Sequence, residues 1–90
     1  MKSATRKLAP VVSAQIRAAR ALLRWSAEDL ALASAVGLTT IRRAELTERQ
    51  TSLTAANDLA IRHALEAAGV VFIEKNGGGV GVRLRDPDMG

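Results

Sequence analysis

The chain of 90 residues contains no cysteine. Disulfides and zinc sites built on thiolates are therefore excluded. A single histidine, His63, cannot hold a metal unaided, so neither a metal nor another cofactor is expected. Aromatic side chains are reduced to Trp25 and Phe72, which leaves Leu, Val, Ile and Ala to build the core. Long apolar runs are missing as well. The stretch Gly69 to Ile73 is far too short to span a bilayer, and no membrane partner is expected. Lys2, Arg6 and Lys7 are not followed by an apolar segment, so no secretory signal is read and a cytoplasmic location is the expectation. No Ser-His-Asp set or carboxylate pair has supporting context, and Gly77-Gly78-Gly79 lacks the Gly-Lys-Ser/Thr and the helix of a phosphate loop. No enzyme is expected.

Apolar residues make up 48% of the chain, which fits a folded domain. At this length one core is thin, and small folds of this size often gain stability by pairing with a second copy. Charge is unevenly distributed. Residues 1–49 hold nine basic and four acidic side chains, against four and five in residues 50–90. A basic excess in one half points towards a polyanionic partner.

Residues 1–9 read as a flexible basic arm. Pro10 suits a first helical turn, and Val12, Ile16, Ala19 and Leu23 recur at helical spacing, predicting a helix over Val12–Arg24. Trp25, directly after it, reads as a core or cap-packing residue, whereas Arg17, Arg24 and His63 read as surface. Ser26-Ala27-Glu28-Asp29 has the chemistry of a helix start, with a hydroxyl cap and two acids at the positive end of the dipole. A short second helix follows through Leu30, Ala31 and Ser34, broken near Ala35-Val36-Gly37, where Gly37 is expected to supply backbone freedom. A third helix is expected over Leu38–Glu48. Ile41, Ala44 and Leu46 would face inward, and Leu38, Thr39, Arg42 and Arg43 outward. Thr54 or Ser52 would cap a fourth helix ending near Ala68, with Leu59, Ile61, Leu65 and Ala68 apolar and Gly69 as its stop. The β-branched run Val70 to Ile73, the turn residues Asn76 to Gly79 and the alternation of Val80, Val82 and Leu84 predict a β-hairpin over 69–85. Residues 86–90 read as a polar tail. The fold class is thus mostly α, with four helices in residues 10–68 and a C-terminal hairpin.

The segment Glu28 to Glu45, EDLALASAVGLTTIRRAE, resembles the helix-turn-helix of the XRE family, the phage-repressor and Cro-like regulators. Leu30-Ala31 opening the second helix, a small residue at the turn (Ala35), Val36 after it, and Thr40-Ile41 followed by Arg43 and Glu45 carry the resemblance, which covers about residues 14–68. It implies that Leu30, Val36 and Ile41 meet in a small core, and that Arg20 forms an ion pair with Glu45. Three positions depart from the family pattern. Ala35 replaces the usual turn glycine, at a cost of about 1 kcal/mol for a left-handed alanine. Gly37 replaces a polar cap, and Ala27 a frequent glutamine.

The resemblance implies a sequence-specific regulator, in the main a repressor, of double-stranded DNA, with the third helix in the major groove. Arg42 and Arg43 would donate to guanine, and Thr39 and Leu38 would touch thymine methyls. Ser26, the N–H of Ala27, Arg49, Gln50 and Thr51 would contact phosphates, and Lys2, Arg6 and Lys7 would reach along the backbone or into the minor groove. A lone hairpin is marginal in water. Val70, Phe72, Val82 and Leu84 therefore need a covering surface, either the fourth helix of the same chain or a second copy across a two-fold axis; a homodimer interface is the expectation, since such motifs usually read operators as dimers. The alternative is an antitoxin or antiactivator, a protein-interaction module with the same fold and a protein partner.

Overall fold

The first helix of the molecule, α1, runs over Ser13–Leu23. It begins where the Val12 N–H donates to the Oε1 of Gln15 at 3.0 Å and ends where Arg24 turns left-handed at φ 58°. The expected span loses one residue at each end because Val12 is extended and Arg24 left-handed. The structure is a computed structural model and describes residues 9–86. Lys2, Arg6 and Lys7 of the expected arm, and residues 87–90 of the expected tail, lie outside the described residues. Ala9, assigned to the arm, is anchored: its carbonyl accepts from Arg62 Nη2 at 2.8 Å. Pro10 precedes α1 and does not begin it.

Helix α2 spans Ala27–Ser34. The Ser26 hydroxyl accepts from the Asp29 N–H at 3.0 Å, and Asp29 Oδ2 accepts from the Ser26 N–H at 2.9 Å, a reciprocal capping box. The break after α2 falls on Ala35, which is left-handed at φ 60°. Gly37 instead has an ordinary φ of −60°, and a Cβ there would meet only Thr40 Oγ1 at 4.0 Å. The left-handed turn thus sits at Ala35, the position the resemblance gave it, and the freedom expected of Gly37 is not used.

Helix α3 covers Leu38–Leu46, two residues shorter than expected. It stops because Thr47 is extended and its hydroxyl turns back to the Ala44 carbonyl at 3.0 Å. Leu46, expected inward, is 83% exposed, since five residues past Ile41 is about 140° round the helix. Helix α4, Ala55–Ala67, is capped by Thr54, whose hydroxyl accepts from the Asn57 N–H at 3.1 Å. Leu59 lies off its buried stripe of Ile61 and Leu65 and is exposed, because two residues subtend about 200°. Gly69, at φ 111°, ends the helix as expected.

Strands β1 (Val70–Ile73) and β2 (Gly81–Leu84) form an antiparallel hairpin with Val70 opposite Leu84 and Phe72 opposite Val82. Val80, expected in the strand, stays in the exposed loop before it. Ile16, Leu30, Ile41, Ile61, Leu65 and Val70 lie within one buried cluster, with Val36, Ala19 and Ala44 beside them. Leu30, Val36 and Ile41 meet as the resemblance implied. Trp25 packs half-buried against this cluster.

The hairpin faces this core within its own subunit. Val70 is 2% exposed, and Phe72, Val82 and Leu84 pack partly buried against the cluster. The face expected to make a dimer is thus covered internally. Only Ala68 and Gly69 separate β1 from α4, so the strand is presented to its own helix at a short tether length, where loop closure is least costly. Two polar side chains fasten the arrangement. Gln15, almost fully buried, donates from Nε2 to the Gly81 carbonyl at 3.0 Å. Arg62, 3% exposed, lies with its guanidinium carbon 4.7 Å from the centre of the Phe72 ring. Asp58 Oδ2 accepts the Val11 N–H at 3.0 Å. Burial pushes the Asp58 carboxyl above its ordinary 3.8, against the Val11 hydrogen bond and the charge of Arg62, which pull it down. Among the described residues, no helix is long and apolar enough to cross a membrane.

Candidate nucleic-acid interface

Helix α3 is amphipathic in a simple way. Ile41 and Ala44 are buried, and Thr39, Arg42, Arg43 and Leu46 are exposed. Positions i, i+3, i+4 and i+7 share one side of a helix, so these four side chains form a single outward face. Leu38, expected on that face, is half-buried and packs against the core. It is three residues before Ile41 and follows the same inward stripe.

Two contacts from α1 hold α3 at its C-terminal end. Arg20 and Glu45 form a two-pronged ion pair, Nε to Oε2 at 2.7 Å and Nη2 to Oε1 at 2.8 Å. The side chains are 22% and 10% exposed. The hydrogen bond to Glu45 raises the Arg20 pKa above its ordinary value. Arg20 also donates to the Trp25 carbonyl at 2.8 Å. The pairing implied by the resemblance is present and ties α1 to α3.

The second contact was not legible in the sequence. Ser13 Oγ donates to the carbonyls of Thr47 at 2.8 Å and Glu45 at 3.2 Å. Arg17, read as a solvated charge, donates to the Glu45 carbonyl at 2.6 Å and to Ser13 Oγ at 2.9 Å. A cation on the terminal carbonyls of a helix also complements its dipole. The Ser13–Arg17 spacing of four was the sole local hint, and the target backbone lies 28 residues away.

The remaining expected contact residues are distributed unevenly. Arg43 is exposed on the outer face. Arg42 is exposed too, but its Nη2 meets Glu28 Oε2 of α2 at 2.9 Å. Such an exposed pair is worth about 0.2–1 kcal/mol, less than the roughly 1–3 kcal/mol of a good bidentate contact to a base. Ser26 has its hydroxyl and its N–H engaged by Asp29, and the Ala27 side chain is buried. The N–H groups of Ala27 and Glu28 have no acceptor inside the helix, and they lie beside the two carboxylates of Glu28 and Asp29.

No protein-family model matches the chain, and no curated protein matches it.

The segment after α3 is fastened to the start of α1. The Arg49 carbonyl accepts the Ser13 N–H at 3.0 Å, and Gln50 forms an antiparallel bridge with Val12. The Arg49 and Gln50 residues are nevertheless exposed, whereas the Thr51 hydroxyl turns inward to accept from the Leu53 N–H at 3.3 Å. The outward face of α3 and the exposed residues Arg49 and Gln50 are thus carried by one braced unit. Among the described residues, no group of three or more His, Cys, Asp or Glu side chains is placed to hold a metal ion. His63 is exposed.

Proposed function

We propose that this chain is a sequence-specific regulator of double-stranded DNA, of the phage-repressor and Cro-like type, that lays α3 in the major groove. The supporting observation is the outer face of α3. Thr39, Arg42 and Arg43 stand exposed together, while Ile41, Ala44 and the Arg20–Glu45 pair fix the opposite side. A helix so presented suits the width of the major groove, where arginine distinguishes guanine by two hydrogen bonds. Arg49 and Gln50, at the C-terminal end of α3, are suited to positioning on phosphates. The proposal involves no catalysis and no cofactor, and it places the protein with the DNA of the cytoplasm.

A dimer belongs to this reading, with two copies of α3 about 34 Å apart. Because Val70, Phe72, Val82 and Leu84 face their own core, its two-fold contact would use other surface, such as the opposite hairpin face with Val71 and Ile73. The deciding experiment is selection of duplexes from a random library by the wild-type chain and by Arg43→Ala. A DNA reader enriches one motif, and the variant relaxes it at one position. Recovery of unenriched sequence by the wild type refutes the proposal.

A second reading, a protein-interaction module such as an antitoxin or antiactivator, draws on Leu32 and Leu46, exposed to 84% and 83%. Large apolar side chains so open suit a protein partner, although single exposed leucines are ordinary. Such a module would bind its partner unchanged after Arg43→Ala.

A further inference from the structure

Glu28 occupies the second position of α2, and its carboxylate reaches across to α3, accepting from Arg42 Nη2 at 2.9 Å. Both side chains remain more than half exposed. Two features set this pair apart from an ordinary surface ion pair. Arg42 belongs to the outward face of α3, beside Thr39 and Arg43, so its guanidinium lies on the surface assigned to DNA. Glu28 belongs to the first turn of α2, the end of a helix that attracts anions. Its negative charge therefore belongs to the helix end that would otherwise favour a phosphate.

On a duplex these two charges have opposed preferences. The DNA backbone repels Glu28 and attracts Arg42. A single phosphate contact offers the guanidinium about what the exposed carboxylate already offers. A phosphate can engage both prongs of the fork as well, but it only exchanges one anion for another, whereas O6 and N7 of guanine add a contact worth more than an exposed ion pair. Resting on the DNA-binding reading above, we propose that Glu28 is a specificity-determining residue. It restrains Arg42 from lone phosphates and yields it to a base edge with two acceptors, thereby widening the gap between operator and random DNA. Glu28 acts through Arg42 and by its own charge near the backbone. It weakens non-specific binding more than it weakens the specific complex, which is a form of discrimination by repulsion.

The test is Glu28→Gln, which keeps the side-chain shape and removes the charge while leaving the Ser26–Asp29 capping box in place. Affinities are measured by fluorescence anisotropy over a salt series, with the duplex selected by the wild type and a random duplex of equal length. For the random duplex the variant is expected to bind about two- to fivefold tighter, the range an exposed ion pair can supply. Its salt dependence should steepen by about one counterion. The selected duplex should change less, so the ratio of the two affinities falls. In an Arg42→Gln background, adding Glu28→Gln should raise both affinities alike and leave the ratio unchanged. The proposal is overturned if Glu28→Gln leaves the ratio unchanged when Arg42 is present, or if it lowers the ratio equally without Arg42. A wild-type chain that selects no duplex removes the DNA-binding reading and this inference together. A selective wild type with an unaltered ratio in the variant removes the inference alone.

Discussion

Replacing Arg20 by methionine should destabilise the fold far more than removing the whole ion pair. In the native molecule the Glu45 side chain is 10% exposed and receives two hydrogen bonds from Arg20. Arg20→Met keeps most of the aliphatic stem but leaves that carboxylate nearly out of water without its counter-charge. The Trp25 carbonyl loses its donor as well. Breaking one partner of a buried pair costs about 3–5 kcal/mol. Here the Arg20 side is 22% exposed, water can reach part of the site, and a loss of about 3 kcal/mol is expected. For a domain of this size that corresponds to a fall in Tm of about 12–24 °C, a large part of a total stability of about 5–15 kcal/mol. The double variant Arg20→Met/Glu45→Leu leaves no orphaned charge, and replacing both ions by apolar groups is often near neutral. It should therefore lie within about 1 kcal/mol of wild type. Urea unfolding followed by far-ultraviolet circular dichroism gives all four corners of the cycle, with the slope of each transition reporting whether the unfolded state has changed. A cost under about 1 kcal/mol for Arg20→Met, or a double variant that loses the sum of the two single losses, would show that Glu45 is not left as a buried, uncompensated charge.

Four further expectations follow from the same geometry. Ala35→Gly should stabilise the protein by about 0.5–1 kcal/mol. Relief of the left-handed alanine exceeds the extra entropy that glycine gives the unfolded chain, and an unchanged or lower thermal midpoint would contradict this. Gln15→Ala should cost about 1–3 kcal/mol, because the Val12 N–H and the Gly81 carbonyl lose a buried partner; hydrogen exchange should quicken first in β2, and uniform acceleration would count against the hairpin fastening. Arg43→Ala should leave stability within about 0.5 kcal/mol but weaken a selected duplex by about 1–3 kcal/mol with little change on random DNA, as titration against both duplexes will report. The Asp58 carboxyl is raised above its ordinary 3.8 by burial. Its contribution to stability is thus present below that value and lost as pH rises through the raised one. The stability of wild type relative to Asp58→Asn should decline across that window and then level, and a difference that rises with pH would mean that the carboxylate is favoured by its surroundings.

Much of the fold was legible because local chemistry agreed with tertiary packing. The capping box at Ser26 and Asp29, the cap at Thr54, the stop at Gly69 and the stripe through Ile16 and Ala19 need few distant residues to be interpreted. Leu46 is expected inward because it is apolar, although its helical phase turns it out. The left-handed turn at Ala35 agrees with the resemblance, whereas the freedom expected of Gly37 goes unused, its φ being ordinary. The outward placement of Thr39, Arg42 and Arg43 agrees with helical phase, and the same phase turns Leu38 inward, three residues before Ile41.

Sequence by itself determined which segments become helix and strand, since capping hydroxyls, helical periodicity and β-branched runs act over a few residues. It also determined that α3 carries two adjacent arginines away from its apolar stripe. Tertiary structure decided what those elements touch. The apolar face of the hairpin was read as intermolecular because periodicity shows that a surface must be covered and not by what, and the fold covers it with its own α1 and α4. Arg17 and Ser13 reach the end of α3, Arg62 closes over Phe72, and Glu28 meets Arg42, each across a distance in sequence that no local pattern encodes. Those partners are chosen by the packing of the helices, which brings specific backbone carbonyls and carboxylates within hydrogen-bonding reach only once the core has formed.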